Sequence, residues 1–186
     1  MQYTNKQKQK KNPVLSFVYD IFDILIPAMI LVSFIFSFFF RTAGVSGDSM
    51  NDTLQNNDRL IVSNCLFYPD YQDIVIVNRY HAGDTHAEEP LIKRVIGLPG
   101  DTIRVEEDAV YRNDVKLDEP YVNYKNIPNG ITTTVEEGQV FVMGDHRDDS
   151  SDSRYFGTFK IEDIVGKAIY RYLPFEKAGD IRYKSK

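Results

Sequence analysis

The sequence predicts a predominantly β domain carried behind one N-terminal membrane helix. Three observations predict it. The seventeen residues from Ile24 to Phe40 carry no charge, no long helical period follows Arg41, and short β-branched and aromatic runs then recur between turn residues. At 186 residues the chain has room for one such domain and a short appendage, not for two domains with separate cores. Hydrophobic content of 42% and charged content of 26% exclude a disordered or low-complexity chain.

The apolar run comes first. A helix over Ile24 to Phe40 reaches roughly 26 Å, just short of a ~30 Å hydrocarbon core, and extension back to Phe17 supplies the missing turns. The apolar stretch of a cleaved export signal is only about 7–15 residues long, so length favours a retained anchor. Pro27 removes one backbone hydrogen bond, which a membrane helix tolerates. Lys6, Lys8, Lys10 and Lys11 precede the run with no acid before Asp20, so the N-terminus is expected inside the cell. The expected organisation is a cytoplasmic tail over 1–16, an anchor over 17–41 and an extracytoplasmic β domain over 42–186. Asp20 and Asp23 share a helix face, and solvation at the interface is the expectation for both.

Charge divides with the anchor. Residues 1–41 carry about +3 and the remainder about −8, a balance that argues against nucleic-acid binding by the outer part. The single cysteine, Cys65, excludes an intrachain disulfide framework and any CxxC motif, and it reads as a small packed residue.

Strands are expected at Arg59 to Ser63, Asp73 to Val77, Leu91 to Ile96, Thr102 to Val105, Val140 to Met143 and Ala168 to Leu173. Turn chemistry stands at Leu98-Pro99-Gly100-Asp101, Arg112-Asn113-Asp114, Pro128-Asn129-Gly130 and Glu136-Glu137-Gly138. The stretch from about Glu106 to Glu137 is poorer in apolar runs and reads as an insertion or peripheral hairpin.

Chemistry concentrates in a few places. Ser49 lies in Ser46-Gly47-Asp48-Ser49-Met50-Asn51-Asp52-Thr53-Leu54, a setting in which serine is more often a turn residue than a nucleophile. It is not a nucleophile elbow, which needs glycine where Asn51 stands. In the run Leu91 to Asp101, Lys93 shares a strand face with Leu91 and Val95, while Arg94 lies with Ile92 and Ile96. At least one of these cations must then be partly buried, at a cost relieved by pairing or by loss of the proton. Arginine does not readily deprotonate and lysine does, so Lys93 is the candidate general base and Arg94 the paired structural cation. The loop Gly144-Asp145-His146-Arg147-Asp148-Asp149-Ser150-Ser151-Asp152-Ser153-Arg154 is dense in polar groups and equally compatible with a solvated surface. A calcium loop counted from Asp148 fails, because Phe159 stands where a bidentate glutamate belongs. His81 and His86, with Asp84, Glu88 and Glu89, fit no metal-ligand spacing and read as a solvated loop.

Together these segments resemble the bacterial type I signal peptidases, membrane-anchored Ser/Lys endopeptidases. Residues 46–54 match the family's S-G-x-S-M-x-P-T-L at all but one position, and Asp73 to Val77, read as D-I-V-I-V, resembles its G-D-I-V-V. Lys93 to Asp101 matches K-R-V-I-G-L-P-G-D in full, and Gly144 to Arg154 matches G-D-N-R-x-x-S-x-D-S-R except at one position. The short length is similar to the minimal Gram-positive form. The resemblance implies an all-β, LexA-like β-barrel-type catalytic domain, and substrates that are exported preproteins with small residues first and third before the cut. It implies Ser49 as the acyl nucleophile, Lys93 as the general base, and Ser150 as the residue that orients the amine. Asp145 would pair with Arg94 and Asp152 with Arg154. The oxyanion hole would use the Ser49 backbone N–H, because Gly47 lacks the hydroxyl that some members supply two residues before the nucleophile. No cofactor, metal or nucleic acid is expected. Membrane lipid is a partner, with the secretion machinery or pilin-like clients as further ones.

The demand on Lys93 can be sized. At an ordinary pKa of about 10.4, only ~0.04% of the amine is neutral at pH 7, whereas a pKa of about 8 gives roughly 10%. Three departures from the family pattern stand out: Asp52 for proline, His146 for asparagine and Gln72 for glycine. A carboxylate about 8 Å from the amine would favour its charged form by about 2 kcal/mol at an effective dielectric of 20, so these departures predict a working enzyme with a more alkaline optimum or a narrower substrate range than its relatives. Rival readings are a Ser-His enzyme built from Ser49, His146 and Asp145, and a non-enzymatic assembly scaffold for pilus subunits. Ala43-Gly44 is similar to the scissile bond of LexA-type self-cleaving repressors; here it reads as spacer.

Overall fold

Proline is well placed at the start of a helix, where its missing N–H has no partner to lose, and Pro13 opens α1 (Pro13–Phe39). The structure is a computed structural model that describes residues 12–64, 67–79, 89–123 and 130–181. It divides into two units, Met1–Phe39 and Phe40–Lys186. In the first, α1 is long and apolar enough to cross a membrane and continues through Pro27 without a break. It begins four residues before the expected start at 17 and ends two before the expected end at 41. Phe40 and Arg41 belong to the strand that follows. The Phe38-Phe39-Phe40 run carries no stop signal, and strand pairing, not composition, ends the helix there.

The second unit is built of β1 (Phe40–Gly44), β2 (Arg59–Ser63), β3 (Ile74–Val77), β4 (Leu91–Gly97), β5 (Thr102–Val105) and β6 (Val110–Arg112). They are followed by β7 (Val115–Lys116), β8 (Ile131–Thr134), β9 (Gln139–Met143), the single-turn α2 (Ser153–Phe156), β10 (Phe159–Lys160), β11 (Ile164–Leu173) and β12 (Gly179–Asp180). The larger sheet runs β1-β2-β11-β3-β4-β9-β10 with β12 on β11, and the smaller runs β7-β6-β5-β8. Ladders between paired strands are antiparallel throughout.

Ala43 and Gly44 are not spacer. They pair with Leu60 and Arg59 of β2 in full register. The Glu106–Glu137 stretch is likewise more than a peripheral hairpin, since β6, β7 and β8 build the smaller sheet around β5. Its β6–β7 connection is a two-residue turn with Asn113 at φ 51 and Asp114 at φ 64, the left-handed pair that a tight hairpin requires. At Leu98-Pro99-Gly100-Asp101, Gly100 takes φ 86 and the Asp101 N–H donates to the Leu98 carbonyl at 3.0 Å.

Three apolar clusters position the rest. One joins Val45, Met50 and Leu54 to Leu60, Val62, Ile74 and Ile76. A second packs Ile96, Phe141 and Met143 of the larger sheet on Ile103, Val105 and Val110 of the smaller. The third holds Val75, Val77, Val95, Val140 and Val142. Strand β4 is therefore covered on both faces, and its two cations go under with it: Lys93 is 2% exposed and Arg94 1%.

Candidate active site

The segment carrying Ser49 is a succession of turns pinned by its own apolar residues. Met50 and Leu54 are buried, the Leu54 N–H donates to the Met50 carbonyl at 2.8 Å, and the Asn51 N–H donates to Asp48 at 2.9 Å. That leaves Ser49 half-buried at the lip of a cleft of about 320 Å³. Ala43, Gly44 and Val45 line it from the β1 side, Ile76 and Ile92 from β3 and β4, and Lys93 stands at its base beside Ser49.

The Lys93 Nζ donates to Ser49 Oγ at 2.5 Å. Lys93 lies opposite Val75 across the ladder, on a face shared with Val95. Burial among these groups is the main reason its pKa falls from 10.5 to about 8, with the nearby cations Arg154 and Arg79 pushing the same way. Asp152 and Asp145 oppose the fall but do not cancel it. The Ser49 backbone N–H makes no hydrogen bond among the described residues.

The polar loop after β9 is not solvated surface. Asp145, Arg147 and Asp152 are 0% exposed, and Ser150 and Ser153 are buried with them. Asp145 accepts two bonds from Arg94, Nε at 2.8 Å and Nη2 at 2.6 Å, and a third from the Thr53 hydroxyl at 2.5 Å. Burial pulls Arg94 downward, but the bonds and charge of Asp145 outweigh it and hold the guanidinium above its ordinary value. Asp152 accepts from Arg154 Nε and Nη2, both at 2.8 Å, from the Gly144 N–H at 2.9 Å and from the Ser150 hydroxyl at 2.8 Å. Burial would raise its pKa, yet Arg154 and these donors keep it below the usual carboxylate range. Asp152 also caps α2.

The structure brings Arg94 together with Asp145 and Arg154 together with Asp152. The Ser150 hydroxyl donates to Asp152, and the amine of Lys93 donates to Ser49. Asp52 departs from expectation: it is solvent-exposed and lines a separate cleft with Thr53, Arg94, Tyr121 and Arg171. The carboxylates that act most on Lys93 are Asp152 and Asp145, which removes the basis for an alkaline shift through Asp52. At φ 83, Asp52 also occupies a conformation that proline, fixed near −65°, does not reach. Gln72 sits at φ 65, where glycine is at ease, while its carbonyl accepts from Arg94 Nη1 at 2.9 Å. His146 turns its ring toward the Asp48 carbonyl at 3.2 Å and Asp148 at 3.3 Å, and Asp145 is occupied by Arg94, so a Ser-His-Asp relay is not assembled. Cys65 and the His81, Asp84, His86 and Glu88 cluster lie outside the described residues.

Sequence reasoning missed the groups behind the loop. Thr53 stands inside a recognised motif, yet nothing in its spacing announced a bond to Asp145. Glu119 and Tyr121 carried no signal at all. Glu119 grips Arg147 with both carboxylate oxygens, and Tyr121 lays its ring 3.9 Å from the Arg94 guanidinium carbon.

A serine hydroxyl bonded to a buried amine of lowered pKa at the lip of a cleft is the equipment of a serine hydrolase that uses lysine in place of histidine. The family profile described as "Signal peptidase, peptidase S26" matches residues 18–173. Signal peptidase I of Bacillus caldolyticus is 42% identical over 166 residues, covering 81% of this chain and 88% of the relative. Signal peptidase I of Streptococcus pneumoniae (strain ATCC BAA-255 / R6) is 33% identical over 196 residues, covering 84% and 92%. A solved signal peptidase I from Enterococcus faecalis V583 is 32% identical with a TM-score of 0.47, covering 55% of this chain and 98% of that one. The chain belongs to the signal peptidase family S26. It is a membrane-bound serine endopeptidase that removes signal peptides from preproteins, a single-pass protein whose β domain lies outside the cytoplasm.

Proposed function

We propose that Ser49 is the nucleophile and Lys93 the general base of this peptidase, and the observation that carries the reading is the 2.5 Å bond between Lys93 Nζ and Ser49 Oγ. Neutral Lys93 takes the hydroxyl proton as Ser49 Oγ attacks the scissile carbonyl carbon. The oxygen of the tetrahedral intermediate is met by the Ser49 N–H. As the intermediate collapses, the C–N bond breaks and the Lys93 ammonium returns its proton to the departing amine of the mature protein. Water then gives a proton to Lys93 and attacks the acyl carbon, and the ester breaks to free the signal peptide while Ser49 regains its proton. Arg94–Asp145 and Arg154–Asp152 hold the loop and strand together and do not touch the reacting atoms, and Ser150 acts through Asp152.

The small and aliphatic residues Ala43, Gly44, Val45, Ile76 and Ile92 along one part of the cleft suit an extended segment with small side chains. Strand addition to a sheet edge is the mode of binding such a segment calls for. The tail before α1 is placed in the cytoplasm by its lysines. Clients are exported preproteins at large or one dedicated pilin-like set, and sequencing mature N-termini after depletion separates the two. The test of the chemistry is cleavage of a preprotein by the full chain in detergent: Ser49→Ala and Lys93→Ala each abolish it. Cleavage retained by either variant refutes the assignment.

A further inference from the structure

The loop from Gly144 to Asp152 meets Ser49 without slack. A Cβ added to Gly144 would fall on the Ser150 hydroxyl and on the Ser49 carbonyl, and the His146 N–H donates to that same carbonyl at 3.1 Å. Whatever fixes this loop therefore fixes the backbone of Ser49. One end is held by Asp152, through the Gly144 N–H. The other anchor is Arg147, whose Nε donates to the Gly144 carbonyl at 3.0 Å and whose own carbonyl accepts from Arg154 Nη1 at 2.6 Å.

Arg147 is in turn gripped from outside the loop. Glu119 accepts from its Nη1 at 2.9 Å and Nη2 at 2.7 Å, with both side chains 0% exposed. The Tyr121 hydroxyl donates to Glu119 at 2.9 Å, and its ring covers Arg94, the neighbour of Lys93 on β4. The segment bearing both residues follows β7 and is secured by Leu117, which packs on the cluster between the sheets. An ion pair buried this completely gains little net stability over apolar side chains of the same volume, so stability alone is a poor account of it. Its geometry joins the smaller sheet to both halves of the site.

We propose that Glu119 and Tyr121 are positioning residues that hold the 144–152 loop, through Arg147 and Arg94, against Ser49 and Lys93. The proposal rests on the Ser49/Lys93 reading above. Neither residue lines the substrate cleft, so substrate affinity should be nearly untouched. A loosened loop admits water to the amine, whose charged surroundings are Asp152, Arg154, Asp145 and Arg79. Since burial dominates its lowered proton affinity, hydration moves that affinity upward.

The experiment measures the pH dependence of kcat/KM, with kcat and KM at the optimum, for full-length Glu119→Gln and Tyr121→Phe in detergent, below their melting temperatures. The expected result is an acid limb displaced to higher pH in both, kcat lower by roughly ten- to a hundredfold in Glu119→Gln, and KM changed by less than about twofold. A smaller folded fraction lowers kcat without moving the acid limb, so the limb separates positioning from mere stability. Parental acid limbs in both variants overturn the proposal. Should Glu119→Gln fail to fold, Tyr121→Phe decides alone, because it removes only a hydroxyl. Ser49→Ala is run alongside: residual cleavage there overturns the underlying assignment, whereas an inactive Ser49→Ala with unshifted Glu119 and Tyr121 variants overturns this inference alone.

Discussion

Replacing Lys93 with methionine should make the protein more stable while removing its activity. The fall of the Lys93 pKa from 10.5 to about 8 corresponds to about 3 kcal/mol of differential destabilisation of the charged form. In the unfolded chain the amine holds its proton up to pH ~10.5, and in the folded protein only up to about 8. Between those values the unfolded state binds more protons, so the stability of the parent rises with pH. The full penalty applies below pH 8 and is gone above about 10.5. Methionine has a similar volume and no charge, but it forfeits the bond to Ser49, worth about 1 kcal/mol. The net gain at pH 7 is about 2 kcal/mol, or roughly 4–8 °C in Tm for a chain of this size. Thermal unfolding of the full chain in detergent at pH 7, 9 and 10.5 measures it. The advantage should shrink as pH rises and reverse at the top of the range. A Lys93→Met variant no more stable than the parent at pH 7, or one whose advantage ignores pH, refutes the claim that burial sets the state of this amine.

Other outcomes follow from the same geometry. Gly144→Ala forces a Cβ onto the Ser49 carbonyl, which cannot yield without moving the nucleophile, so kcat should fall and stability drop by about 1–3 kcal/mol; a parental kcat contradicts it. Arg94→Met leaves Asp145 buried with only Thr53 as a side-chain partner and should cost about 3–5 kcal/mol, with Arg94→Met/Asp145→Leu recovering most of that in the same melt. Asp52→Asn should leave the acid limb of the pH–rate profile in place, whereas Asp52→Pro, barred by φ 83, should lower Tm.

Strands whose patterns were complete in themselves were legible from sequence. Arg59 to Ser63 and Thr102 to Val105 form with the expected bounds because β-branched residues cluster there between clear breaks. Strand β1 was hidden because Phe40 extends an apolar run without a break, and only pairing with β2 makes Phe40 and Arg41 a strand. The two cations of β4 declared themselves as a physical problem, charge inside an apolar strand, and that problem pointed toward Lys93. Their partners did not declare themselves physically, and Asp145 was named for Arg94 by the family resemblance alone. Which acid meets Arg94 or Arg147 depends on contacts spanning 51 and 28 residues, which no local pattern encodes. The conformation of Asp52 was equally silent, because a single residue at positive φ leaves no periodicity behind.

The enclosure of Lys93 also bears on how this protein could be inhibited. Reagents that acylate amines on contact will find Lys160 and Lys177 at the surface long before an amine 2% exposed. A warhead chosen only for intrinsic reactivity gains no selectivity here. An inhibitor that fills the cleft lies against Ala43, Val45 and Ile92 with its electrophile beside the Ser49 hydroxyl. Discrimination would then come from the shape of the approach.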